Sequence, residues 1–150
     1  MNYKEFIKKG LVEEKNIGFD QINKLLERAF KNIKSSKTLI KDDDKEGGFR
    51  FAYEAMLLAG RALIFSYGFR PRSIGSHKIV VDFVSEVLGK EYRILIQKFD
   101  RMRRKRNYLI YGIGLAVSGI EADNAVNTAE EFVKIVKKFI KGKNSQAELL

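Results

Sequence analysis

The chain has no cysteine, no tryptophan, one histidine and one proline in 150 residues. Without cysteine there is no disulfide framework, no thiolate metal site and no thiol nucleophile. The single imidazole, His77, excludes a histidine-rich metal centre and any triad that needs a second one. With Pro71 as the only proline, little interrupts long helices, and period-two alternation is almost missing too. No apolar run reaches the ~20 residues of a membrane-spanning helix, and the opening MNYKEFIKKG lacks a signal-peptide core. A soluble, cytoplasmic protein is therefore expected, with no membrane contact. Negative charge is also scarce. Lys and Arg number 29 against 19 Asp and Glu, a net charge of +10. That surplus favours an anionic partner, nucleic acid first and an acidic protein second.

What is present reads as one all-α domain over residues 1–150, long enough to bury a sizeable core. Tyr3, Phe6, Ile7 and Leu11 suggest a first helix over 3–15 ending near Gly18. Asp20 is the expected N-cap of a second helix reaching about Ile40, after which Lys41–Gly48 (KDDDKEGG) reads as a loop. Phe49–Tyr67 is apolar nearly all round, which marks the central helix of a bundle. Gly68–Gly75 reads as a loop, and Ser76 as the cap of a helix over 77–88 with Ile79, Val80, Phe83, Val84 and Val87 inward. A basic helix is expected from about Glu91 to Leu115. Ser118 and Glu121 have capping-box spacing and open a last helix, with a frayed tail from about residue 143.

The basic helix organises the rest. Lys98, Arg101, Arg103, Arg104, Lys105 and Arg106 place six cations in nine residues, opposed only by Asp100. An apolar period of Tyr92, Leu95, Ile96, Phe99, Met102, Leu109, Ile110 and Ile113 runs through the same residues. Continuing that stripe lands on Arg103 and Arg106, with Asn107 and Tyr111 following Arg103 at i+4 and i+8. A cation at the edge of an apolar face needs a partner or a ligand, because an unpaired charge there is costly. Two readings stand side by side at this point, an anion site or a solvated face whose arginines snorkel past the core edge. Glu54, on the central helix, is a candidate buried partner for one of these arginines. His77 with Arg70 and Arg72 suggests a small anion pocket, against a plain capping or surface histidine.

Other motifs carry less. GIGLAVSG follows a helix rather than a strand and lacks the spacing of a dinucleotide fingerprint. Asp42-Asp43-Asp44 has neither calcium-loop spacing nor a closing glutamate, so no metal is expected. Recognition helices offer bases their N-terminal residues, whereas these arginines sit mid-helix on the apolar side, which favours a pocket or groove.

Three stretches, AYEAMLLAGRALIFSYGFRP, SHKIVVDFV and above all RMRRKRNYLIYG, resemble a HEPN domain, the nucleotide-binding helical domain of higher eukaryotes and prokaryotes. The likeness covers about residues 5–142. It implies an up-and-down bundle of four to five main helices that pairs as a homodimer without a cofactor. In active relatives an arginine, a polar residue and a histidine face their copies across the dimer cleft. There they cut RNA without metal, leaving 2′,3′-cyclic phosphate ends. Others bind RNA or a nucleotide, or partner a small nucleotidyltransferase in toxin–antitoxin pairs. Arg106 and Asn107 match the first two motif positions, and Tyr111 stands where the histidine belongs.

That departure matters because proton transfer from a 2′-hydroxyl calls for a group titrating near neutrality, and tyrosine ordinarily titrates near 10. Arginine stabilises charge on phosphorus but moves no proton. The resemblance thus implies RNA or nucleotide binding by Arg103 and Arg106, aided by Lys98, Arg101, Arg104 and Lys105, with weak or absent endoribonuclease activity through Arg106, Asn107 and Tyr111. The alternative is a non-enzymatic module that docks an acidic partner such as a minimal nucleotidyltransferase, the antitoxin of such a pair.

Overall fold

The computed structural model describes residues 3–73, 76–112 and 116–149, the last five in backbone only. Six α-helices and one two-stranded ribbon make up the described residues. In chain order they are α1 (Tyr3–Lys8), β1 (Val12–Glu14), α2 (Phe19–Lys41), α3 (Lys45–Ser66), β2 (Phe69–Pro71), α4 (Ser76–Leu88), α5 (Arg93–Tyr111) and α6 (Gly119–Leu149). A 3₁₀ turn, Lys90–Tyr92, leads into α5.

The first expected helix is cut short by its glycine. Gly10 takes φ +71°, and the amides of Gly10 and Leu11 bond back to the carbonyls of Ile7 and Phe6. This is a Schellman ending, and it releases the chain into β1. β1 pairs antiparallel with β2 in the register Val12↔Pro71, Glu13↔Arg70, Glu14↔Phe69. Proline is tolerated there because the Arg72 amide bonds the Leu11 carbonyl, so Val12↔Pro71 is a pair that exchanges no hydrogen bonds and the missing N–H would point away from β1. A ribbon this short leaves almost no alternation to read in the sequence.

The acidic run between α2 and α3 is a tight helical hairpin rather than a loop. Asp43 takes φ 64°, and the amides of Asp43 and Asp44 close onto Ile40 and Leu39. Asp44 then caps α3, its Oδ1 accepting from the Gly47 amide at 2.8 Å. α3 therefore begins at Lys45, four residues before its apolar run. The start of α2 also differs, since Gly18 is the N-cap and Asp20 lies in the first turn.

α3 is the central helix, packed against α2, α4, α5 and α6. Its buried residues run almost without interruption from Ala55 to Ile64, broken only by Arg61. Gly60 lets α4 come close, because a Cβ there would collide with Val80. Phe83, Phe99 and Phe132 are fully buried, each contributing roughly 1.5–3 kcal/mol. The ring of Phe99 on α5 lies 4.9 Å from Phe132 on α6 and 5.9 Å from Tyr53 on α3.

The inward face expected of α4 is buried, except that Val87 is only half-buried, and α6 buries Phe132, Val133, Val136 and Ile140. The capping box holds. Ser118 Oγ accepts from the Glu121 amide at 3.1 Å, and Glu121 Oε1 accepts from the Ser118 amide at 3.2 Å. α6 continues to Leu149, past the expected tail, and Lys143 Nζ sits 3.9 Å from the centre of the Tyr67 ring. The expected basic helix is shorter, ending at Tyr111, and its last expected residues, 113–115, lie outside the described ones. The result is an all-α bundle, as the pattern of absences implied.

Candidate functional site

The helical period of α5 divides the basic run between two sides. Lys98, Arg101 and Lys105, at three- and four-residue steps, border a cleft of about 550 Å³ toward α6. Glu121, Asn124, Asn127 and Glu131 face them across it. Lys105 is tied into the fold there, bonding the Ala116 carbonyl at 3.2 Å and Glu121 at 3.1 Å. Hydrogen bonds from the Ser118 amide and from Lys105 hold the Glu121 carboxyl below its ordinary range.

Arg103 and Arg106 turn the other way, toward α3 and α4. Tyr53, buried on α3, has its hydroxyl 2.9 Å from His77 Nδ1 in the first turn of α4. Asp100 bonds Arg103 Nε at 2.9 Å and reaches Lys78 at 3.9 Å, so this carboxylate joins α5 to the residue after His77. Arg104 lies 3.5 Å from the same carboxylate. Arg61, two turns beyond Tyr53 on α3, adds a third guanidinium, and both Arg61 and Arg106 are half-buried.

The charges act on the titratable pair between them. Burial, and then the charges of Arg106, Arg61 and Arg103, bring His77 down to about 4 from 6.5. His77 is therefore neutral at physiological pH. Burial pushes the Tyr53 hydroxyl well above its ordinary range, although Arg106 and Arg103 oppose it. With the imidazole proton on Nε2, the Tyr53 hydroxyl donates to Nδ1. Partial burial favours a neutral Asp100, but the hydrogen bond and charge of Arg103, with Lys78 and Arg104, hold that carboxyl below its ordinary range.

Of the other sequence-derived candidates, Asn107 Oδ1 lies 3.4 Å from Arg106 Nη1, a long contact. Tyr111 stands at the C-terminal end of α5, 84% exposed. It shares a shallow groove with Arg104, Asn107 and Tyr108, and no hydrogen bond joins it to Arg106 among the described residues. Glu54 is half-buried and forms no ion pair with an arginine among the described residues; Arg103 takes Asp100 from its own helix instead. Arg70 lies on β2. Its guanidinium, like that of Arg72, pairs with Glu13 across the ribbon. The acidic run Asp42–Asp44 is a turn and a cap, and no metal-holding cluster occurs among the described residues.

Sequence reasoning passed over Tyr53 and Arg61 as site residues. The available signal was Tyr53 itself, a hydroxyl inside an otherwise apolar helix that has to find a polar partner. Its eight-residue spacing to Arg61 places the two on one side of α3.

No curated protein matches the chain. A family model, the HEPN domain, matches residues 22–139, which spans α2 to α6 and contains Tyr53, Arg61, His77, Arg103 and Arg106. The chain belongs to the HEPN domain family.

Proposed function

We propose that the chain is an RNA- or nucleotide-binding protein that works as a homodimer, with weak or absent metal-independent RNase activity. The observation that carries this reading is the set of Arg61, Arg103 and Arg106 gathered on His77, with Asp100 the one carboxylate bonded to any of them among the described residues. Half-buried guanidiniums without carboxylate partners are suited to phosphate oxygens, which they bind with two parallel hydrogen bonds. The remaining cations supply long-range attraction for a polyanion.

Tyr108, Ile110 and Tyr111 leave an apolar, exposed end on α5 beside this surface. That end supports a dimer seam in which two copies bring their arginines to one RNA strand. The weak activity follows from position 111, where tyrosine replaces the family histidine. Losing general-base help costs about 10²–10⁴-fold in rate.

The test is a titration of labelled single-stranded RNA against wild type and Arg106→Ala at two salt concentrations. Weaker binding by the variant and a steep salt dependence are expected. Equal affinity would remove Arg106 from the site, and salt-insensitive binding would argue against phosphate contacts.

A second reading draws on the outward cations Lys98 and Arg101, which border the α6 cleft away from His77. There an acidic protein, such as a nucleotidyltransferase antitoxin, docks without RNA. Purification from the native cell separates the two readings. A stoichiometric protein partner with no RNA favours the second.

A further inference from the structure

We propose that Arg61, Arg103, Arg106 and His77 form a single phosphodiester site spanning α3, α4 and α5, into which the anion and a proton on His77 enter together. This deepens the RNA reading and rests on it. It enlarges the site from a linear motif on α5 to a cluster assembled by the fold, and it gives His77 a place in binding.

The geometry comes first. Tyr53 connects α3 to α4 through His77 and touches α5 through Phe99, at 5.9 Å between ring centres. Asp100 connects α5 back to Lys78, the neighbour of His77. These links hold the imidazole among cations contributed by two other helices. The charges acting on it are Arg61 from α3 and Arg103 and Arg106 from α5, while Glu54 from α3 acts on its partner Tyr53 and Lys78 from α4 reaches Asp100 from α5. Asp100 is shared by Arg103, Arg104 and Lys78, and Glu54 pairs with none of the arginines among the described residues. The cluster therefore carries surplus positive charge that the protein does not offset locally.

Burial first, and then this surplus, keep His77 neutral in the free protein. A phosphodiester adds negative charge where the arginines repel a proton, so it removes the electrostatic part of that opposition. The new proton goes to Nδ1, and the Tyr53 hydroxyl then turns from donor to acceptor while Nε2–H remains a donor. No bond is broken except the exchange of one proton with solvent. By linkage, an anion that raises the His77 pKa must itself bind more tightly as the pH falls through that range.

His77 is the only histidine in the chain, so its imidazole C–H resonance can be followed by NMR without assignment ambiguity. The probe is 2′-O-methyl oligouridylate, which cannot be cleaved and whose bases do not titrate in acid. Saturating probe should move the His77 titration up by a pH unit or more, and affinity should rise by about twofold or more on going from about pH 7 to about pH 5. Arg61→Ala, with folding verified by its amide spectrum, should raise the free-protein titration and shrink the probe-induced shift. His77→Gln should remove the pH dependence while keeping binding at neutral pH. Binding with an unmoved His77 titration overturns the coupled site and leaves RNA binding intact. Failure of the probe to bind at all overturns both.

Discussion

Tyr53 and His77 meet at 2.9 Å between the hydroxyl and Nδ1, joining the central helix to the start of α4, where the charges of Arg106, Arg61 and Arg103 act on the histidine. This contact makes stability depend on pH in a definite direction. The folded-state pKa of His77 is lowered to about 4 from 6.5, so between those values the unfolded chain binds more protons. Stability is fully present above about pH 6.5 and declines as the pH falls toward about 4. After discounting for partial exposure, the loss is on the order of 1–2 kcal/mol. Urea unfolding at stepped pH measures it, and His77→Gln should flatten the curve in that window. Asp100, whose pKa is depressed, contributes a separate loss in more acidic solution, as its carboxylate protonates.

Tyr53→Phe isolates the hydroxyl. The ring contacts with Phe99 and His77 remain, while His77 Nδ1 loses its partner. The variant should be about 1 kcal/mol less stable at neutral pH, as measured by chemical denaturation. A cost near zero would mean that water replaces the hydroxyl at no loss.

Ser118→Ala removes one half of the reciprocal cap that starts α6. A loss of about 1 kcal/mol is expected, with RNA affinity unchanged because the cap lies on the opposite side of α5 from His77. Parallel denaturation and binding measurements check both halves of this expectation.

The exposed end of α5 separates association from folding. Tyr108 and Tyr111 are 62% and 84% exposed, so Tyr108→Asp combined with Tyr111→Asp should leave the unfolding midpoint nearly unchanged. Sedimentation velocity should show a concentration-dependent dimer for wild type and a monomer for the double variant. A dimer that survives both substitutions places the seam elsewhere.

The bundle was legible in the sequence because its helices are long and their apolar residues recur with a clear period. Phe83, Val84 and Phe99 could be assigned inward from spacing alone. The ribbon was not legible, since three residues per strand are too few for alternation, and the helix expected over 3–15 ran straight through Gly10, whose positive φ ends it. The acidic run misled for a related reason. Three aspartates look like a solvated loop, yet Asp43 tolerates a left-handed backbone and Asp44 caps the next helix.

The candidate site was only half legible. Arg103 and Arg106 broke the apolar stripe and so announced themselves. Arg61 and His77 lie on other helices, and only the packing of α3, α4 and α5 brings them to the same place. Spacing on one helix carries no information about a cluster built across three. Glu54 was the natural guess for a buried partner, but Asp100 needed no tertiary packing at all, because it sits one turn before Arg103.

Arg61 is the residue that distinguishes a site assembled by the fold from a simple basic stretch, since it stands far from the run in sequence. The decisive measurement compares single-stranded RNA binding by Arg61→Ala with that by Arg28→Ala, an exposed cation on α2, at matched salt. Arg61→Ala should weaken binding about tenfold and reduce the salt slope by about 1, while Arg28→Ala stays close to wild type. Equal affinities for the two variants would contradict the three-helix site.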